Sequence, residues 1–309
     1  MKSTDVAIIG GGVAGMSAAL YARRFNLDVI IFDGYLGGNI TKTQIVENYP
    51  GFIKISGIEL AQKIREHTLS YKPMVINKRV EKLEKKGGYF VIDVGDEKIK
   101  SKAVIFATGT KWKRLNVKGE AEFNNKGVSY CSLCDGFLYK NKKVAVVGAG
   151  NSAVKEAIVL SELAGEVYLV AKKEIHPDSS NREILKKAKN VEVIQHVDVL
   201  EILGDTKVKG LKLNKKHNGK NVLDVDGIFV SIGHDINSEL AKEIGVKTNT
   251  KGEIITDKFG KTNIKGFFAA GDVTDKSFKQ AIAGVAEGCI AANSAYEYIT
   301  KEHMEVFSE

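Results

Sequence analysis

The stretch VAIIGGGVAG, residues 6–15, decides the fold. Val6–Ile9 is a short apolar run with strand character, and Gly10-x-Gly12-x-x-Gly15 turns the chain. Ala14–Phe25 then has helical spacing, and Val29–Phe32 is a second apolar run closed by Asp33. This is a β-α-β unit of the dinucleotide-binding kind. Its glycines allow the tight turn, the close approach of a pyrophosphate and the packing of helix on strand. The helix N-terminus offers unpaired amides to phosphate oxygens. An acid placed like Asp33 accepts hydrogen bonds from a ribose diol.

The pattern recurs. Val144–Val147 predicts a strand, Gly148-Ala149-Gly150-Asn151-Ser152-Ala153 a loop, Ser152–Leu163 a helix and Val167–Val170 a further strand. Ala153 stands where the third glycine would be. The repeat is one of a binding unit, not of a solenoid. The two endings differ. Asp33 lies 23 residues beyond Gly10, and the same offset from Gly148 reaches Ala171, followed by Lys172 and Lys173. An acid selects a free 2′-hydroxyl, whereas two cations suit a 2′-phosphate. The first loop is therefore predicted to take a dinucleotide such as FAD, and the second to favour NADPH over NADH. The alternative for Lys172 and Lys173 is a solvated turn.

A chain of 309 residues, 43% of them hydrophobic, can bury the core of one large or two medium domains. Further strands are expected at Lys102–Ala107, Gly227–Ile232 and Gly266–Ala270, ending respectively in Thr108-Gly109, Gly233 and Gly271-Asp272. Strand ends of this kind mark backbone passing close to a ligand. A helix is expected from about Gln280 to Ile299. The fold class is α/β, with two Rossmann-like domains: a first domain of residues 1–112 and 244–309, split by a second of residues 113–243. The net charge of +8 comes mainly from lysines scattered among acids, without a basic run interleaved with aromatics. That pattern argues against a nucleic-acid partner and for a mild field attracting acidic partners or phosphates. No stretch approaches the roughly 20 apolar residues of a membrane span, and Val6–Ile9 is too short for a signal peptide. A cytoplasmic location is expected.

Three cysteines do not make a secreted disulfide framework. Cys131-Ser-Leu-Cys134 lacks the two further ligands of a structural zinc site, since Cys289 is distant and no His-x3–5-His pair exists. No metal is expected. A buried inert pair is conceivable, but this spacing lets two sulfurs meet and lowers a thiol pKa, so a redox disulfide is the favoured reading. Asp135 could relay a proton, or simply serve the turn before Gly136. Cys289, in GCIAANSAY, reads as a packed core thiol.

Two dinucleotide loops and a redox dithiol make an electron relay. Here the sequence resembles the low-molecular-weight thioredoxin reductases, over essentially the whole chain. The resemblance is carried by Gly10–Gly15, Gly37-Gly38-Asn39, Val46-Glu47-Asn48-Tyr49-Pro50-Gly51-Phe52 and Ala107-Thr108-Gly109. It continues through Cys131–Gly136, Gly148–Ala153, Ile232-Gly233-His234 and Ala270-Gly271-Asp272-Val273. It implies that Gly10, Gly12, Gly15, Asp33 and Gly34 hold the ADP half of FAD. Gly38, Asn39 and Asn48 would lie near the flavin. Asp272 would meet the ribityl chain, with Gly271, Lys279, Gln280 and Ala281 beside it and Val80, Ala107, Thr108 and Gly109 completing the site. Gly148, Gly150, Asn151, Ser152, Ala153, Lys172, Lys173 and Gly233 would meet NADPH. Cys134 would face the flavin, Cys131 would exchange with the partner protein, and Asp135 would be the general acid/base. The partner would be thioredoxin or a glutaredoxin-like protein, the enzyme a homodimer, and its second domain would swing between two arrangements.

The departures cluster at the second loop. The family's His-Arg-Arg is Ala171-Lys172-Lys173 here, its third arginine is absent with only Arg182 nearby, and Lys155-Glu156 replaces a double acid. Asp235-Ile236-Asn237 lacks a common proline, and Lys279 replaces an arginine. Lysine supplies charge without the bidentate fork. NADPH stays the expected donor, with ferredoxin or a reduced deazaflavin as the alternative. A non-catalytic flavin- and NADP-binding sensor is the reading from another class, and the exchange dithiol argues against it.

Overall fold

The computed structural model describes residues 1–34, 37–43 and 45–306, with side chains described through Thr300. The chain opens with β1 (Lys2–Ile9), α1 (Val13–Arg24) and β2 (Val29–Phe32), then α2 (Gly57–Ser70) and β3 (Met74–Ile76). A hairpin of β4 (Lys82–Lys86) and β5 (Tyr89–Asp93) leads into β6 (Lys98–Phe106) and β7 (Thr110–Trp112). Next come β8 (Val128–Ser129), the one-turn α3 (Ser132–Asp135), β9 (Lys143–Val147), α4 (Asn151–Ser161), β10 (Glu166–Ala171), α5 (Ser179–Lys187) and β11 (Val191–Gln195). Then β12 (Val199–Gly204), β13 (Val208–His217), β14 (Lys220–Asp224), β15 (Gly227–Val230), β16 (His234–Ile236), α6 (Glu239–Glu243), β17 (Phe267–Ala269) and α7 (Ala281–Val306) complete the chain.

The elements fall into two compact units, one of residues 1–111 and 236–309, the other of residues 112–235. Among the described residues, the first unit holds a sheet in the order β3-β2-β1-β6-β5-β4, with β17 also on β6. The pairs β1–β2, β1–β6, β2–β3 and β6–β17 are parallel, whereas β4, β5 and β6 pair antiparallel. One face packs Val6, Ile8, Ile31 and Ile105 against α1 and α7. The other packs Ala7, Ile30, Phe32 and Phe106 against Phe90, Phe267 and Ala241. Alternation along β1 sends neighbouring side chains to opposite faces, and both faces are covered, which is why Val6–Ile9 reads as an unbroken apolar run.

The second unit repeats the plan: β11-β10-β9-β15-β8, all parallel, with α4 crossing from β9 to β10. A separate antiparallel sheet, β12-β13-β14, closes one face through Leu211, Leu213 and Leu223. In both units the glycine loop follows the first strand of the β-α-β unit, at the carboxyl edge of a parallel sheet where ligands of such folds bind.

The return crossing lies at Asp235–Ile236, earlier than the residue 244 expected from the sequence. The difference is β16 and α6. Asn237 and Thr108 bond each other's backbone oxygens, at 2.9 and 2.6 Å, and Ala241 is fully buried in the core of the first unit. The crossing strands β7 and β16 pair with each other.

Candidate functional site

The first glycine loop is shaped by close backbone contacts. Gly10 has φ +118°, and a methyl group on it would strike the Ala107 carbonyl. A methyl on Gly15 would strike the Gly10 carbonyl, so α1 can start this close to β1 only with glycine there. Gly11 abuts the Asp33 carboxylate, and Gly12 lies against Gly38. Asp33 has a fully buried side chain, and Arg65 of α2 donates to its Oδ2 at 2.7 Å. Its other oxygen, Oδ1, is buried without a hydrogen-bond partner. A buried carboxylate oxygen with nothing to accept from is costly, by about 1–3 kcal/mol. A ribose hydroxyl above the Gly10–Gly12 turn would satisfy it. The residues present thus fit the adenosine end of FAD.

The other predicted residues of this unit are tied to neighbouring segments of it. Asn39 donates to the Thr110 carbonyl at 2.7 Å, and Asn48 donates to Gln280 at 3.2 Å. Gly34 abuts Arg79, and Val80 packs on the core cluster that includes Phe32. The Ala107 amide bonds Ile9, and the Gly109 carbonyl accepts from the Asn237 amide. Gly271, at φ +79°, touches Ala14 of α1, which places Asp272 beside the first loop. Lys279 is tied up: its ammonium donates to the Asp272 and Thr274 carbonyls at 2.6 and 2.7 Å and pairs with Glu253 at 3.0 Å. Three acceptors use its three protons, so its place is to hold the Gly271–Thr274 turn. Ala281 opens α7.

Three residues of this unit escape the sequence reading. Arg65 sits on a helix with no motif of its own. Asn237 locks Thr108. Glu287 of α7 accepts from the Gly271 amide at 2.7 Å, and burial holds its carboxyl above the usual carboxylate range. An acid between Gly284 and Gly288, the glycines where α7 meets α1, is the one signal that could have found it.

In the second unit a methyl on Gly148 would strike the Ser231 carbonyl, and Ala153 is fully buried. Gly150 bridges to His176, and Asn151 is held by Asp178 and Asn181 of the α5 N-terminus at 2.8 Å each. Ser152 is exposed at the start of α4. Lys172 pairs with Asp198 at 3.0 Å, and Lys173 is exposed beside it. The Gly233 carbonyl accepts from the Lys113 amide. The loop geometry of a dinucleotide site is present, and Asp178 is an unforeseen acid at its rim.

Cys131 and Cys134 form a disulfide, with Cys131 capping α3. The buried Ser129 hydroxyl donates to Asp135 at 2.5 Å and accepts from the Cys131 amide at 3.2 Å. Burial raises the Asp135 carboxyl above its usual range, and the Ser129 bond offsets this in part. A carboxyl that holds its proton nearer neutral pH beside a disulfide is suited to general acid/base work. Tyr130 stacks on Trp112, ring centroids 5.5 Å apart, and donates to the buried Glu120 at 3.0 Å. Glu120 also accepts from the Leu115 and Asn116 amides, so the segment leading to the dithiol is fixed from both sides. Cys289 lies 3.0 Å from the Ser17 hydroxyl and is half-buried. Among the described residues no cluster of His, Cys, Asp and Glu could hold a metal, and no helix is long and apolar enough to cross a membrane.

Paired β-α-β loops and a disulfide ahead of the second define a class. The chain belongs to the pyridine nucleotide-disulphide oxidoreductase family, whose pattern matches residues 4–288. Among its relatives, a thioredoxin reductase of Ureaplasma parvum is 39% identical over 302 residues, covering 97% of this chain and 98% of the relative. A thioredoxin reductase of Mycoplasma genitalium is 38% identical over 291 residues, 93% and 92% of the two chains. The crystal structure of thioredoxin reductase from Streptococcus pyogenes superposes with a TM-score of 0.90 at 36% identity, over 97% of this chain and 99% of that one.

Proposed function

We propose that this enzyme is a thioredoxin-disulfide reductase that passes electrons from NADPH through FAD to the Cys131–Cys134 pair and on to a protein disulfide. The observation that carries the reading is the disulfide with Asp135 linked through Ser129 to the Cys131 amide. Bound at the first loop, FAD supplies two-electron chemistry between a nicotinamide hydride and a disulfide. The protein's own part is positional. The Gly10–Gly15 turn and α1 amides would hold the pyrophosphate, Asp33 would accept from the ribose, and Asp272 would stand at the ribityl end. Gly148–Ser152 would hold the NADPH pyrophosphate, and Lys173 with Lys172 would face its 2′-phosphate.

In the reduced pair the Cys131 thiolate attacks the partner's disulfide. One partner sulfur leaves as thiolate and a mixed disulfide forms. Cys134 then attacks Cys131, releasing the second partner thiolate and restoring the Cys131–Cys134 bond. The partner gains two electrons and two protons, and Asp135 gives a proton to a leaving thiolate. Thioredoxin is the partner the relatives favour. A homodimer in the cytoplasm completes the reading.

Two measurements test it. Under anaerobic conditions NADPH should bleach the flavin absorbance much faster than NADH, and no bleaching with either would remove nicotinamide as the donor. Cys134→Ser should abolish thioredoxin-linked disulfide reduction while FAD stays bound. Full activity in that variant would overturn the dithiol mechanism.

A further inference from the structure

Among the described residues two buried side-chain oxygens lack a hydrogen-bond partner. One, Asp33 Oδ1, belongs to the first loop. The other is Glu156 Oε2, in a part of the second unit to which no role has been given. Glu156 lies on α4, the helix of the second loop, and its Oε1 accepts from the Ser231 hydroxyl at 3.0 Å. Ser231 follows β15 and forms the wall against which Gly148 turns. On its other side the Glu156 carboxyl faces the backbone amide of Ser132, the first of the two residues between the cysteines. The dithiol turn is packed on the same helix and the residues just after it: Gly136 lies so close to Leu160 and Leu163 that a methyl group there would crowd both.

We propose that Glu156 is a positioning residue of the redox pair. Its carboxyl spans from the wall of the second loop to the Ser132 amide, and its charge state sets how readily the reduced pair carries a thiolate. The inference rests on the reading of Cys131–Cys134 as an exchange dithiol. Burial pushes the Glu156 carboxyl up to about 7, with Ser231 and the Ser132 amide offsetting burial only in part, so it changes charge in the range where the enzyme would work.

The surrounding charges leave it alone. Asp135 lies on the dithiol turn, bonded to Ser129. Lys143 and Glu166 pair with each other at the opposite end of β9 and β10. On α5, Lys186 pairs with Glu183, and Arg182 follows Asn181. Glu192 of β11 pairs with His217, Tyr168 donates to Glu166, and Lys155, the neighbour on α4, acts on Asp178. Among the described residues, the side chain bonded to Glu156 is that of Ser231. The thiolate formed on reduction is then the charge that Glu156 meets. Ionised Glu156 puts a second negative charge beside it, disfavouring the thiolate above neutral pH.

The test is the pH profile of thiol alkylation. The full-length protein is reduced, freed of reductant and treated anaerobically with iodoacetamide from pH 6 to 9.5. Modification of each cysteine is read by peptide mass, with Cys289 as internal reference. Wild type and Glu156→Gln should coincide at pH 6, where Glu156 is neutral. Between pH 7 and 8 Glu156→Gln should react about two- to threefold faster, as expected for removal of one nearby like charge. A loss of packing alone would change the rate by the same factor at every pH. Ser231→Ala removes the donor that favours the carboxylate, and should move the wild-type lag to higher pH; this arm stands even if Glu156→Gln fails to fold. Superimposed profiles, a pH-independent offset, or an unmoved lag in Ser231→Ala would overturn the inference while leaving the exchange dithiol intact. If neither Cys131 nor Cys134 reacts faster than Cys289 at any pH, the dithiol reading falls and the inference with it.

Discussion

At the scale of the residue, both orphan oxygens give measurable consequences. Asp33 is held by Arg65 on one oxygen and presents the other to the loop. Asp33→Asn keeps the shape but removes the charge that a ribose diol and Arg65 both meet. Retained FAD after dialysis should fall by about tenfold or more, the scale of one charged hydrogen bond, with the fold intact by circular dichroism. Unchanged flavin content would take Asp33 out of the site. Glu156 carries a stability signature as well. Its folded pKa, about 7, lies above the ordinary 4.5. The native state therefore holds a proton that the unfolded chain has released between those values. Stability is fully present below pH 4.5 and is lost as pH rises through 7, by up to about 3 kcal/mol. Glu156→Gln should flatten that decline. Denaturant midpoints between pH 5 and 8 would show it, and parallel declines in the two proteins would refute it.

At the scale of the element, the two β-α-β units were legible because glycine spacing and apolar runs carry their geometry locally. β2, expected at Val29–Phe32, spans those residues, and β9 and β10 differ from expectation by a residue at their ends. What escaped has a common physical reason. β13 reads VKGLKLNKKH, with lysines on its solvent side, and its strand character depends on β12 and β14 placing Leu211 and Leu213 against the core. The β4–β5 hairpin likewise becomes clear only once Phe90 meets Phe267. The site was legible where a motif announces it, at Gly10, Gly148 and Cys131. It was not where a partner arrives from far along the chain, as Arg65, Glu287 and Ser231 do. Lys279, which the resemblance sets beside Asp272, has two backbone carbonyls and the Glu253 carboxylate as acceptors there, so it braces the turn at Asp272. The α1–α7 contact is similarly invisible from either helix alone. A methyl on Gly288 would strike the Ala14 carbonyl, so Gly288→Ala must push α7 from α1. The expected loss is about 1–3 kcal/mol, read as a lowered melting temperature together with weaker flavin retention, because Glu287 and Gly271 move with α7. A variant as stable as wild type would show that the helices can part without strain.

At the scale of the whole molecule, each unit has its own parallel sheet, glycine loop and core, and the dithiol shares its unit with the second loop. Duplication explains why one chain carries two similar loops. The endings, Asp33 in one and Ala171-Lys172-Lys173 in the other, explain how they would be told apart by their ligands. That assignment can be tested without turnover, by amide hydrogen exchange on the full chain. A ligand that binds only the folded loop slows exchange in the segment it contacts. FAD added to flavin-depleted protein should protect Gly10–Gly15 and the start of α1, and leave Gly148–Ser152 unchanged. NADP⁺ added to the flavin-loaded protein should protect Gly148–Ser152 and the start of α4, more strongly than NAD⁺ at equal concentration. Equal protection by NADP⁺ and NAD⁺ would mean that Lys172, already paired with Asp198, and Lys173 do not read the 2′-phosphate. Protection of the first loop by NADP⁺, or of the second by FAD, would reverse the assignment of the two units.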